Sequence, residues 1–99
     1  KLDAAIGVLQ PLLARYSGRI EAEYNLGRLL AARGRNDEGA THLEHALKAR
    51  PNLPAGWHYL GEIRAAQGRP EEARACWKRA LAIDPNSIKS RRALESSRP

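Results

Sequence analysis

Apolar and small residues recur along this chain at helical spacing, in two consecutive stripes. Trp57, Leu60, Gly61 and Ile63, with the stem of Arg64, form the first; Ala73, Trp77, Ala80, Leu81 and Ile83 form the second. Steps of three and four place such residues on one face of a helix, turned toward a core. The same two stripes occur 34 residues upstream, as Leu26, Gly27, Leu29 and Leu30, then Ala40, Leu43, Ala46 and Leu47. Gly27 and Gly61 are 34 apart, as are Gly34 and Gly68, and "ALKARPN" is echoed by "ALAIDPN" at that same offset. A fixed period of this length predicts a helical repeat, in which one unit cannot bury its apolar face without a neighbour.

The polar positions between the stripes supply the starts and stops. Gly68 ends the first helix of its unit, because only glycine takes a left-handed backbone cheaply. Pro70 suits the first turn of the next, where its missing N–H would be unpaired anyway. Glu71 and Glu72 follow, acids favoured near a helix N-terminus. Asp84-Pro85-Asn86 stops that helix and starts another. Upstream, Gly34, then Arg35 or Asn36, then Asp37 and Glu38, do the same work, and Arg50-Pro51-Asn52 closes the unit. Two full units are therefore expected, at 20–53 and 54–87, each a pair of helices. Residues 1–19 read as the second helix of a partial earlier repeat, with Ala5, Leu9 and Leu12 on its stripe and either a bend near Gly7–Pro11 or Pro11 on its outer side. Residues 88–99 read as the leading or capping helix of a third, partly polar because Glu95 stands where a small residue is expected. Gly27, Gly61, Ala46 and Ala80 are expected to let helices approach closely, with Trp57 and Trp77 filling wider gaps.

These residues carry a family resemblance. Trp57, Leu60, Gly61, Ala73, Ala80 and Pro85 fall on the tetratricopeptide-repeat pattern, Trp77 replaces its later aromatic, and Arg64 departs where the pattern prefers tyrosine. The first unit keeps Leu26, Gly27, Ala46 and Pro51, has Leu30 and Leu43 for aromatics, and departs at Glu23 and Gly39. The resemblance implies an all-α fold, a right-handed superhelical solenoid of antiparallel helix pairs, forming a single array over residues 1–99. It implies a concave groove lined by the first helix of each unit, and a protein–protein interaction module that binds a peptide or helix of a partner and is no enzyme. In that register the groove presents Tyr24, Asn25, Arg28, His58, Tyr59, Glu62, Lys89 and Arg92. Polar aromatics are enriched at interfaces, and arginine grips a carboxylate with two parallel bonds. Some members of the family hold a chaperone's C-terminal carboxylate with a Lys, Asn, Asn, Lys, Arg set. The matching positions here are Tyr24, Arg28, Tyr59, Lys89 and Ala93; only Lys89 fits, so that mode is not expected.

Charge and composition narrow the picture further. The net charge is +6, but its arginines are spread along the chain, which reads as solvated helix faces. Nucleic-acid binding is disfavoured, since Glu21 and Glu62 share the groove with Tyr24 and Tyr59. The alternative to an interaction module is a structural spacer or docking segment of a larger protein, and the exposed repeat ends offer a route to a dimer. The chain starts at Lys1 without methionine, so it is expected to be a piece of a longer protein. No run of about 18 apolar residues is present to span a membrane. Cys76 is the single cysteine, which precludes an internal disulfide, leans toward a reducing, cytoplasmic setting, and is expected to be partly exposed and able to form disulfide dimers. His42 and His45 share a helix face with Glu38 one turn before, a set that can bind zinc. Solvated side chains are the expected reading there, with no metal and no cofactor. No phosphate loop or nucleophile–base pair is present.

Overall fold

The computed structural model describes residues 20–97, which form five α-helices with no strand among them. They are α1 (Ile20–Ala32), α2 (Asn36–Ala49), α3 (Pro54–Ala66), α4 (Pro70–Ile83) and α5 (Ile88–Ser96). The expected helix over 1–19, with Pro11, lies outside the described residues. The chain divides into two compact units, one ending at Pro51 and the other beginning at Asn52.

The first helix of each unit ends in one and the same way. Gly34 has φ 84° and Gly68 has φ 77°, the left-handed conformation expected of a helix stop. The N–H of Gly34 donates to the carbonyl of Ala31 at 3.0 Å, and that of Arg35 to Leu30 at 2.8 Å. At the second stop Gly68 donates to Ala65 at 3.0 Å and Arg69 to Arg64 at 2.8 Å. These paired bonds satisfy carbonyls that the last helical turn leaves without partners. Pro54 and Pro70 open α3 and α4. The start of α2 has no proline. The Arg35 guanidinium donates to both carboxylate oxygens of Glu38, at 2.7 and 2.8 Å, and this hydrogen bonding holds the Glu38 carboxyl below its usual pKa.

In the first unit, α1 packs against α2. Glu23 meets His42 and His45, whereas Gly27 meets Gly39 and Leu43, so the two helices run antiparallel. A Cβ on Gly27 would lie 2.7 Å from Leu43 Cγ and 2.9 Å from the Gly39 carbonyl oxygen. Leu26, Leu30 and Leu43 are fully buried in this unit. Each such leucine contributes roughly 1.5–3 kcal/mol of transfer free energy relative to exposure.

In the second unit, α3 packs against α4 and α4 against α5. Here the close approach is to a ring: a Cβ on Gly61 would lie 2.5 Å from Trp77 Nε1 and 2.7 Å from its Cδ1. The indole N–H donates to the carbonyl of His58 at 3.2 Å, which satisfies the buried donor and fixes the ring over the glycine. Trp57 is only half-buried, with the Arg79 guanidinium 5.2 Å from the centre of its ring. Helix α5 is mostly polar: Ser90 is its only buried residue, and Ile88 at its start is 61% exposed.

Candidate functional site

In the first unit, α1 carries Tyr24, Asn25 and Arg28, all half-buried. They follow from the helix's division of faces. Ala22, Leu26, Gly27 and Leu30 are buried, and the three candidates flank that stripe.

In the second unit four of the candidates, His58, Tyr59, Glu62 and Lys89, form a connected polar cluster between α3 and α5. The His58 ring is the centre. Its Nδ1 lies 3.2 Å from the Ser90 hydroxyl and its Nε2 lies 3.3 Å from the Glu62 carboxylate. A neutral imidazole meets both: Nε2–H donates to Glu62, and Nδ1 accepts from the Ser90 O–H. Burial pushes the His58 pKa below 6.5, the neighbouring Lys89 adds to that, and Glu62 opposes it. Tyr59 is half-buried, its ring edge-on to His58 with centroids 5.3 Å apart. Lys89 Nζ sits 5.9 Å from the centre of the Tyr59 ring. Glu62, Lys89 and Arg92 are exposed.

Two expectations need correction here. His58 was expected to present its ring to a partner, but it is 6% exposed, with both nitrogens engaged inside the unit. It braces α5 against α3. Cys76 was expected to be partly exposed; it is buried at 8%.

The histidine pair of α2 also differs from its sequence reading. Glu38 is bound to Arg35, and the carboxylate that meets the imidazoles is Glu23, from α1. Its Oε2 lies 3.3 Å from Nδ1 of His42 and 3.3 Å from Nδ1 of His45. Sequence reading also passed over Ser90. A signal for it existed, because Ala22, Gly56 and Ser90 are small, buried and spaced by 34. Only the hydroxyl distinguishes the last of them.

Known proteins place this arrangement. Residues 54–87 match a tetratricopeptide-repeat family model, and residues 20–63 match a second one. TPR repeat-containing protein PA0015 of Pseudomonas aeruginosa is 31% identical over 74 residues, spanning 75% of this chain and 70% of that protein. The chain belongs to the tetratricopeptide-repeat family. Among solved structures, that of MamA superposes with TM-score 0.92 over 97% of this chain at 18% identity. The first tetratricopeptide repeat of Spaghetti (RPAP3), bound to the HSP90 peptide SRMEEVD, gives 0.92 over 97% of this chain and 76% of that one, at 17% identity. YrrB, described as having an unusual peptide-binding site, gives 0.90 over 95% at 21% identity. The chain spans 56% of the MamA chain and 48% of the YrrB chain. The fold is thus an all-α helical repeat, and no helix among the described residues is long and apolar enough to cross a membrane.

Proposed function

We propose that this chain is a protein-interaction module that binds an acidic peptide or helix of a partner protein through the leading helices of its repeats. The observation that carries this reading is the set on α3 and α5. Tyr59 is half-buried and held edge-on by a buried histidine, with exposed Lys89 and Arg92 on the neighbouring helix. A pre-positioned aromatic surrounded by charge suits a binding surface, because its ordering cost is met before the partner arrives. Tyr24 and Arg28 supply the same residue types on α1. Within the second unit two exposed cations, Lys89 and Arg92, stand against the one carboxylate of Glu62, which favours an acidic ligand. The peptide-bound state of the RPAP3 repeat and the peptide-binding site of YrrB support this use of the fold. The partner's carboxylates would meet Lys89 and Arg92 beside Tyr59, which stands where the chaperone-tail clamp needs Asn.

The test is selection from a peptide library on the chain, beside a Tyr24→Ala/Tyr59→Ala variant whose fold is checked by circular dichroism. An acidic motif enriched by the wild type and lost in the variant is the expected result. No enrichment would replace the reading with that of a structural segment of a larger protein.

A further inference from the structure

The cluster on the first unit is built from donors of a particular kind. Glu23 comes from α1, His42 and His45 from α2, and their three ligand atoms lie within 4.8 Å of one another. Two of the separations, from Glu23 Oε2 to each Nδ1, are 3.3 Å. In a tetrahedral zinc site the bonds are about 2.0–2.1 Å, so neighbouring donors stand roughly 3.3–3.4 Å apart. Glu23 is 16% exposed and His42 27%, so two of the three donors are partly ordered by packing. His45 is 61% exposed and leaves the cluster open on one side. The two imidazole rings stand nearly perpendicular, at 86°.

The second unit provides an internal comparison. The residues 34 further on are Trp57, Cys76 and Arg79. There the helix pair is bridged by the Arg79 guanidinium over the Trp57 ring, 5.2 Å from its centre. The first unit has replaced that aromatic with Glu23 and that cation with His45. The departure at Glu23 thus coincides with the arrival of two imidazoles, and the resulting set is one carboxylate oxygen and two nitrogens. Hard cations prefer all-oxygen surroundings, whereas a set of two nitrogens and one oxygen suits zinc, cobalt, nickel or copper.

We propose that Glu23, His42 and His45 form a three-donor site for a divalent transition-metal ion of the zinc type, with the fourth position open to water or to a donor from another molecule. Without metal, the two Nδ1 atoms face the Glu23 carboxylate at 3.3 Å. A metal takes the Nδ1 lone pairs, so in the bound form each ring carries its N–H on Nε2. Because the donors come from both helices of the pair, the ion ties α1 to α2 and stabilises the unit it occupies.

The experiment is calorimetric titration of Zn²⁺ into the chain, carrying no polyhistidine tag, with Co²⁺ absorption as a second readout. One ion per chain and visible cobalt bands of tetrahedral intensity are expected, with a rise in melting temperature on adding Zn²⁺. Glu23→Gln, His42→Ala and His45→Ala should each weaken Zn²⁺ binding by about ten-fold or more. Cys76→Ser should leave it unchanged. His45 is the most exposed of the three, so His45→Ala keeps the test decisive if another variant fails to fold. No binding of Zn²⁺, or wild-type affinity in His45→Ala, overturns the proposal. Full affinity in a folded Glu23→Gln variant also overturns it, because the histidine pair alone would then be the chelate.

Discussion

At the scale of single residues, the glycines separate into the two kinds expected of them, helix contacts and helix stops. Gly61 is required for space, since a Cβ there would lie 2.5 Å from Trp77 Nε1. Gly68 is required for conformation, with φ 77° and nothing within 4 Å of a built Cβ. Asparagine tolerates the left-handed region and so is the discriminating substitution. Gly68→Asn should lower stability by less than about 1 kcal/mol, and Gly61→Asn by about 1–3 kcal/mol or more from overpacking. Trp77→Leu combined with Gly61→Asn should recover part of the second loss, as a double-mutant cycle in urea would measure. Equal losses at the two sites would refute the distinction. His58 makes a different prediction at this scale. Its pKa is lowered in the folded chain, chiefly by burial, so the unfolded chain binds its proton more readily. Its contribution is therefore complete above 6.5 and is lost as pH falls through the lower folded value. Melting temperatures across mildly acidic pH should fall more steeply for wild type than for His58→Gln. Parallel curves would mean that Ser90, Glu62 and Lys89 hold the ring without regard to its charge.

At the scale of elements, helix boundaries were the most legible feature, because their causes are local. Gly34 and Gly68 stop helices through their own φ, and Pro54 and Pro70 start them through theirs. The tight crossings at Gly27 and Gly61 were legible too, since small residues at a fixed period have few other reasons. Contacts between helices were harder to read. Two of the helix-face errors share one cause. His42 and Cys76 hold equivalent positions, 34 apart, and were expected on the wet outer face of the second helix. That position instead borders the seam of the pair, so His42 is half-buried and Cys76 buried. Spacing within one helix could offer only Glu38 to His42; the carboxylate that reaches it lies 19 residues away on the preceding helix. For Cys76 the burial has a measurable result. Its thiol should react slowly with an aromatic disulfide reagent in the native chain and fast in denaturant, and disulfide dimers should be scarce. Equal rates in both conditions would place the thiol at the surface.

At the scale of the molecule, one scaffold is built twice and finished differently each time. The first unit closes its crossing with leucine and glycine and joins its helices through a carboxylate and two imidazoles. The second closes with an indole and joins them through a cation over a ring. This division has an optical consequence. Both tryptophans of the chain, Trp57 and Trp77, belong to the second unit, and the first has none. Tryptophan emission excited at the red edge therefore observes one unit, while far-ultraviolet circular dichroism observes the helices of both. Repeat units share stability only through the terms that link neighbours. Overlaying the two signals along a single denaturant titration would therefore measure, without any added label, how strongly the two units are coupled.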